Sequence, residues 1–364
     1  MIILAAAIIL SLSNSGIISK ANKAKTDSDT ANLKEYVNTL RAEWELMTDA
    51  EQTAAGSFVD YANSKLAEKG YKRELATDGE TVMNENATAA VKAGIKVGDT
   101  VTGYTIDATT YTTSGEENTA PSGSETDPTK QTVTTNTNIT WKYLGVNANG
   151  DLEIIADFGE TETAANTKVK LSGKGGYLKG PDMLNTVCEK LYSVSGVGTA
   201  RSINIDDVNN ILGYTGPKGT YFDTDYNEIT TAEPLKIGDI DKKLGTSLGT
   251  KTTTPDGKEL GTYYSDSYYI NKTSENIKNT ANKDLVYNAK NMYWLASPAV
   301  YANFINSDAM FDVRYVGSAG VGARDLFYSS GVSKSHTYAL RPVVTLNSNV
   351  KLTPNADKTA WEIR

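Results

Sequence analysis

Polar and apolar positions follow two different periods along the chain, and the change falls near residue 96. Before it, apolar residues recur every three or four positions, which is the spacing of one face of an α-helix. The clearest such stripe is Leu33, Tyr36, Val37, Leu40 and Trp44. After it, short Thr-rich segments alternate with period two between Gly, Ser and Asn turns, which predicts β-strands. The sequence therefore predicts an α+β protein with its helices first.

The helical part begins with an apolar run. Residues 1–12 have the sequence MIILAAAIILSL, and the helix pattern continues through the stripe, so one long helix is predicted over residues 1–47. As a helix, the run covers only about 18 Å, less than the roughly 30 Å core of a bilayer. Thr48 and Glu51 have the spacing of a capping box and predict a second helix that ends at Gly70. Residues 48–95 form a helical connector in this prediction.

The β-rich part, residues 96–364, is predicted to form one globular domain. Residues 108–138 are rich in Thr, Ser, Gly and Asn and predict a surface insertion. A hairpin is predicted from strands 139–146 and 152–158 around the turn sequence NANG. Two helices are expected among the strands, one beginning at Pro181 and a shorter one capped by Asp206.

Charge and composition exclude several classes of function. The net charge of -8 repels phosphate backbones, so no nucleic-acid partner is expected. Cys188 is the single cysteine and His336 the single histidine, which leaves no intrachain disulfide, no Cys/His zinc site and no Cys–His nucleophile pair. We expect Cys188 to be a buried, inert thiol. The prediction is a protein that is not an enzyme and has no cofactor or metal.

The sequence NSGIISKA, residues 14–21, is similar to the end of the N-terminal helix of type IV pilin-like proteins. In that family the helix begins further upstream, behind a prepilin-peptidase site that this sequence does not contain. The apolar run is therefore expected to be the lower part of a longer helix or, as the alternative, a helix that buries its apolar face against sister subunits. The resemblance implies a homopolymer formed through this helix and contact with the membrane during assembly. The residues expected to make these contacts are Ile2, Ile3, Leu4, Ile8, Ile9, Leu10, Ile17 and Ile18.

A second resemblance covers residues 140–352. The words YWLASP (residues 293–298), FDVRYV (residues 311–316) and YALRPVV (residues 338–344) occur in the order seen in C-type-lectin-like domains. The relevant branch includes formylglycine-generating-enzyme-like folds and the variable proteins of diversity-generating retroelements. Those enzymes depend on cysteines near the C-terminal region, which this chain lacks there. The calcium-dependent sugar site of true C-type lectins is not expected either. The motif at residues 233–235 is EPL, and the Trp-Asn-Asp motif of that site is absent.

The resemblance implies a buried scaffold with a ligand-contacting surface between its anchors. The expected buried anchors are Trp294, Phe311, Val313, Val316, Leu326, Phe327, Val343 and Val344. The expected ligand residues, in turns between them, are Tyr301, Asn303, Asn306, Tyr315, Ser318, Arg324, Asp325, Tyr328, Ser330, Lys334 and His336. Tyr, Asn and Ser suit adaptable contact surfaces. The alternative is that these are ordinary solvated loops.

Separate predictions concern the environments of individual polar residues. Arg314 and Arg341 lie between apolar neighbours and are expected in internal bond networks, with anion recognition as the alternative. His336 is expected to be an exposed loop residue without an acidic partner. Asp223 and Asp225 fit a turn or, as the alternative, a calcium loop.

The predicted protein is thus extracellular, on a cell surface, in a pilus or anchored in a membrane. It is a type IV pilus-like filament subunit or pseudopilin that displays an adhesin domain for a protein or glycan ligand of a host or neighbouring cell. Two alternatives stay open, a purely structural major pilin and a phage or secreted tropism determinant.

Overall fold

The computed structural model of the chain describes residues 17–114, 130–135, 139–157, 167–222, 228–231, 252–253, 259–260, 268–287, 292–303, 308–328 and 330–364. The fold is mixed α+β, and it divides into two compact units. The helical unit contains the described residues up to Lys92 together with Val146–Asp151. The sheet unit contains Ala93–Gly145 and Leu152–Arg364. The chain therefore passes between the units three times.

The first and third helices of the helical unit pack around one apolar stripe. Their bounds are α1 Ile17–Glu45, α2 Asp49–Ala55, α3 Phe58–Glu68 and α4 Glu85–Lys92. Leu33, Val37 and Leu40 of α1 are buried in one cluster with Tyr61 and Leu66 of α3, as the three-and-four spacing predicts. The first sixteen residues of the predicted helix lie outside the described residues. In the described part of the chain, no helix combines the length and apolar character needed to cross a bilayer.

The capping box at Thr48 is confirmed, because the Thr48 backbone N–H donates to Glu51 Oε2 at 2.8 Å and the Thr48 side chain accepts from the Glu51 N–H. The prediction of a single helix up to Gly70 is wrong. Gly56 adopts a φ of 87°, a conformation that favours glycine and ends α2. Ser57 and Asp60 then form a second capping box that starts α3. Two start signals in close succession therefore give two short helices.

The sheet unit is built from short strands and three α-helices in its described part. The helices are α5 Gly173–Tyr192, α6 Ile205–Leu212 and α7 Lys283–Tyr287, with a 3₁₀ turn at Thr280–Asn282. The strands are β1 Thr100–Thr102, β2 Thr110–Thr112, β3 Thr132–Thr134, β4 Thr140–Val146, β5 Leu152–Asp157, β6 Lys168–Ser172, β7 Gly198–Ser202, β8 Gly219–Phe222, β9 Glu228–Thr231, β10 Thr252–Thr253, β11 Glu259–Leu260, β12 Ile270–Asn271, β13 Tyr293–Asn303, β14 Asp308–Val316, β15 Gly320–Tyr328, β16 Ser335–Ala339, β17 Pro342–Leu346, β18 Leu352–Pro354 and β19 Trp361–Ile363.

Two larger sheets contain thirteen of these strands, and the pairs β2/β3, β8/β9 and β10/β11 form two-stranded sheets. One has the order β18-β19-β1-β4-β5-β17-β7 and the other the order β12-β15-β14-β13-β16-β6. Most paired strands are antiparallel, while β1 runs parallel to β19 and β13 runs parallel to β16. The expected anchor residues are buried between these elements, except that Phe327 is half-buried and stacks on Phe311 at 5.9 Å.

Local signals for the first β-hairpin and for Cys188 are confirmed. Strands β4 and β5 are neighbours, and Asn147 N donates to the Asp151 carbonyl at 2.9 Å across the turn. Cys188 is fully buried on α5, and burial raises the pKa of its thiol. The predicted insertion contains the paired strands β2 and β3, while its residues 115–129 and 136–138 lie outside the described residues.

Helix α5 begins earlier than predicted. It starts at Gly173, so Pro181 lies inside the helix and not at its first position. The preceding glycines serve close packing on β6. A Cβ at Gly176 would lie 3.2 Å from the Leu171 carbonyl carbon, and one at Gly180 would lie 3.1 Å from Leu171 Cδ1. Glycines in the first half of α5 therefore let the helix pack closely on the strand before it.

Helix α6 is capped by a different residue from the one predicted. Asn204 is the N-cap and forms a capping box with Asp207, so Asp206 is only a first-turn residue. Asp207 has a second partner, since Arg201 Nη1 donates to it at 2.6 Å. Arg201 also pairs with Glu153 at 3.2 Å. The helix start is thus tied to β7 and β5 by charge-assisted hydrogen bonds.

Arg341 occupies the interior of the sheet unit, with only 1% of its surface exposed. Its guanidinium donates to the Ala156 carbonyl at 3.0 Å, to the Val286 carbonyl at 3.3 Å and to Tyr293 Oη at 3.1 Å. Tyr293 Oη itself donates to the Val286 carbonyl at 2.8 Å. The expectation of an internal network is confirmed for this residue. The network joins β5, α7 and β13 around one cation.

Arg314 is also held internally. It is buried, donates to the Tyr268 carbonyl at 3.3 Å, and its guanidinium lies 4.2 Å from the centre of the Tyr268 ring. A stacked and hydrogen-bonded guanidinium on a buried strand position is a structural group.

Replacing Arg341 is expected to destabilise the sheet unit strongly. The change Arg341→Met removes a guanidinium donor from the Ala156 carbonyl, the Val286 carbonyl and Tyr293 Oη, although Val286 keeps the Tyr293 hydroxyl as a donor, so we expect the free energy of unfolding to fall by at least about 2 kcal/mol. Equilibrium urea denaturation followed by near-UV circular dichroism measures this. The exposed Arg364 gives the matched control, and Arg364→Met should change stability by no more than about 0.5 kcal/mol. Equal stability of the two variants would contradict the assignment.

Candidate ligand-binding face

Four neighbouring strands in the order β15, β14, β13 and β16 carry most of the residues predicted as a ligand surface. The prediction that these residues lie in turns is wrong for most of them. Tyr301 lies on β13, Tyr315 on β14 and Arg324 on β15. On β15 the predicted residues Arg324, Asp325 and Tyr328 are half-buried, and Val321 and Leu326 beside them are buried. The composition expected of a turn is therefore found at partly exposed strand positions.

Tyr338 is the centre of an aromatic cluster, which we define as Trp294, Tyr315, Arg324, His336 and Tyr338. The Tyr338 ring centre lies 4.6 Å from that of Trp294, 5.2 Å from that of Tyr315 and 6.2 Å from that of His336. Arg324 Nε donates to Tyr338 Oη at 2.7 Å. The Arg324 guanidinium carbon also lies 4.9 Å from the Tyr315 ring centre. One cation is thus held by two tyrosines, one of which packs on a fully buried tryptophan.

A polar triad of Asp325, Tyr328 and Lys334 adjoins the cluster. Tyr328 Oη and Lys334 Nζ each donate to Asp325 Oδ2 at 2.5 Å, and Lys334 Nζ donates to Tyr328 Oη at 3.0 Å. Partial burial alone raises the pKa of Asp325, but the hydrogen bonds from Lys334 and Tyr328 outweigh it and hold this pKa below its ordinary value. Asp325 and Lys334 therefore both stay charged and neutralise one another.

His336 joins the two groups. The prediction of an exposed loop residue without an acidic partner is wrong, because His336 is half-buried on β16 and its Nε2 lies 3.7 Å from Asp325 Oδ1. Burial lowers the pKa of His336; Asp325 opposes this, while Arg324 and Lys334 act in the same direction as burial. The net shift is downward. The neutral imidazole is therefore the favoured form in the folded protein.

Arg324 has a guanidinium edge that the protein leaves uncommitted. Apart from its bond to Tyr338 Oη, it forms no hydrogen bond or ion pair with any residue in the described part of the chain. Its neighbour Asp325 is engaged by Tyr328 and Lys334 instead. A fixed, half-exposed guanidinium of this kind can bind an anion through its two terminal nitrogens.

The remaining predicted residues are dispersed. Tyr301 and Tyr328 both flank Met310 in the strand registers, so they share one end of the sheet. Ser318 lies beyond the other end, in the turn between β14 and β15, and the strand from Gly320 to Tyr328 alone extends for about 26 Å. Ser330 is exposed in the connection from β15 to β16. Asn303 is the last residue of β13, and only its backbone is described. Asn306 is not among the described residues.

Sequence reasoning missed the central role of Tyr338 and the contact that Trp294 makes with it, since both belong to words assigned to the scaffold. A signal for Tyr338 exists, because His336 and Tyr338 are two positions apart and point to the same side of a strand. Alternation on β16 could therefore have placed Tyr338 beside a predicted ligand residue.

Comparison of the chain with known protein families, with curated proteins and with solved structures finds no match in any of the three. Within the described ranges, no group of three or more His, Cys, Asp or Glu side chains is arranged to hold a metal ion. Asp223 and Asp225, considered for a calcium loop, lie outside those ranges.

His336 titration is expected to appear as a single NMR signal, because the chain contains one histidine. We expect a pKa below 6.5, since burial disfavours the imidazolium form. The unfolded chain then binds more protons than the folded one between the two pKa values. This contribution to stability is complete above the unfolded pKa of about 6.5 and is lost as the pH falls through the folded pKa.

Two variants check this assignment. In Asp325→Asn the pKa of His336 should fall further, because the carboxylate that favours the imidazolium is removed. In His336→Gln the loss of stability between about pH 7 and about pH 5 should be smaller than in the wild type, as measured by urea denaturation. A histidine pKa at or above 6.5 would show that the ring is not buried as described.

Proposed function

We propose that the chain is an extracellular bacterial surface protein and not an enzyme. Its N-terminal helix assembles with copies of itself, or anchors in the membrane during assembly, in the manner of a type IV pilin or pseudopilin. Its sheet unit has a C-type-lectin-like fold and displays an adhesive face. The observation that carries the proposal is the aromatic cluster and the polar triad side by side on one sheet.

The composition of this face supports a contact role. Tyrosines give large apolar rings with polar tips, and they dominate surfaces that bind varied partners. The cluster holds its side chains by mutual packing and hydrogen bonds, so binding would cost little ordering of side chains. The words that carry the resemblance to C-type-lectin-like domains supply the buried strand positions behind this face, including Trp294 and Phe311.

The helix α1 supports an assembly role only for its N-terminal part. Its 29 described residues extend for about 44 Å. From Leu33 onward its apolar stripe is already buried inside the helical unit. Contacts between copies would therefore be made by the residues before Thr30, which include the predicted assembly residues Ile17 and Ile18.

Binding is tested on an array of glycans and host cell-surface proteins, followed by surface plasmon resonance on each hit. We expect the double variant Tyr301→Ala/Tyr328→Ala to lose at least about tenfold in affinity, because tyrosines often carry much of an interface. The matched control is Tyr71→Ala, an exposed tyrosine of the helical unit, which should bind as the wild type does. Equal loss in both variants, or no wild-type hit, counts against an adhesive face.

Assembly is tested by electron microscopy of the purified chain. We expect filaments from the wild type and none from Ile17→Asn/Ile18→Asn, since polar side chains would disrupt an apolar contact between helices. Leu46→Asn is the control, because Leu46 is 87% exposed at the end of the helix region. Filaments without any ligand would favour the structural major pilin, and a ligand without filaments would favour the phage or secreted tropism determinant.

A further inference from the structure

Arg324 differs from the other described arginines of the sheet unit. Each of the others has a carboxylate or a backbone carbonyl as a partner within the protein, namely Arg201, Arg314, Arg341 and Arg364. Within the described ranges, the partners of Arg324 are a tyrosine hydroxyl and a tyrosine ring. Its position is thus fixed, and no carboxylate of those ranges forms an ion pair with it.

The fixed geometry leaves a specific set of donors. A guanidinium has five N–H donors, and Tyr338 engages the one on Nε. The donors on the two terminal nitrogens form the fork that matches two oxygens of a carboxylate. Tyr338 Oη accepts from Arg324 and keeps its own proton as a further donor.

We propose that this edge recognises the carboxylate of an acidic carbohydrate, such as a sialic acid or a uronic acid. The inference rests on the proposed adhesive function and names its ligand class. Arg324 binds the carboxylate through both terminal nitrogens, and the Tyr338 hydroxyl donates to the same group or to an adjacent sugar hydroxyl.

Charges around Arg324 favour a sugar over an acidic peptide. Asp325 is paired with Lys334, and among the described residues no carboxylate forms an ion pair with Arg324, so one cation in excess lies beside the Tyr338 hydroxyl. That arrangement matches an isolated carboxylate on a ring of hydroxyl groups. A peptide with several carboxylates would meet a single cation on a chain of net charge -8, which repels it.

The experiment uses the full chain and matched ligand pairs in isothermal titration calorimetry. The pairs are 3′-sialyllactose with lactose and galacturonic acid with its methyl ester, so that each acidic sugar carries one carboxylate, and an alternating Glu-Ser peptide forms a third arm. We expect each acidic sugar to bind at least about tenfold more tightly than its neutral partner, because a charge-assisted bidentate contact is lost in the latter.

Variants assign the preference to Arg324. In Arg324→Gln the affinity for the acidic sugars should fall by at least about tenfold, while that for the neutral sugars is unchanged. Arg324→Lys keeps the charge but not the fork, so an intermediate affinity is expected. Arg364→Gln is the control and should bind as the wild type does.

Several results would overturn the inference. Equal affinity for a sugar acid and its methyl ester would do so while leaving the adhesive function standing, as would an unchanged Arg324→Gln variant. Tighter binding of the Glu-Ser peptide than of the sugar acids would reject the carbohydrate assignment. Circular dichroism checks the fold of each variant, and the methyl-ester comparison on the wild type decides the question even if Arg324→Gln does not fold.

Discussion

A buried cation is the constraint on which the sheet unit depends. Arg341 is only 1% exposed, and burying an unpaired charge in a protein interior costs a large free energy. The fold meets this cost with acceptors from segments far apart in sequence, Ala156 and Val286, and with the hydroxyl of Tyr293. Strand β5, helix α7 and strand β13 must therefore come together before this charge is satisfied.

Strand β13 connects the buried Arg341 site to the proposed adhesive face. Tyr293 and Trp294 are consecutive on β13, so their side chains point to opposite sides of the sheet. Tyr293 bonds to Arg341 on one side, and Trp294 supports Tyr338 on the other. Contacts within the protein core thus hold the aromatic cluster in place before any ligand binds. The face is preorganised because its support is part of the core.

Features that depend on adjacent residues could be predicted from the sequence, and features that depend on packing between distant segments could not. The Thr48 capping box, the turn after β4 and the burial of Cys188 each depend on a few adjacent residues, and the sequence predicted them. The break at Gly56 was missed because a glycine can equally continue a helix at modest cost. The early start of α5 depends on how closely Gly176 approaches β6, and the importance of Tyr338 depends on its neighbours across the sheet. Neither can be obtained from spacing along one segment.

The three passages of the chain between the two units bear on how such a protein can be rearranged by recombination. The hairpin turn Val146–Asp151 belongs to the helical unit although both of its strands lie mainly in the sheet unit. Asn84 of the helical unit donates to Asp151 at 2.8 Å, and the Asn84 N–H donates to the Gly150 carbonyl. A crossover near residue 92 would therefore bring a new sheet unit together with a turn evolved for other helices. Exchange of residues 93–364 as one piece would replace the residues to which Asn84 is hydrogen-bonded.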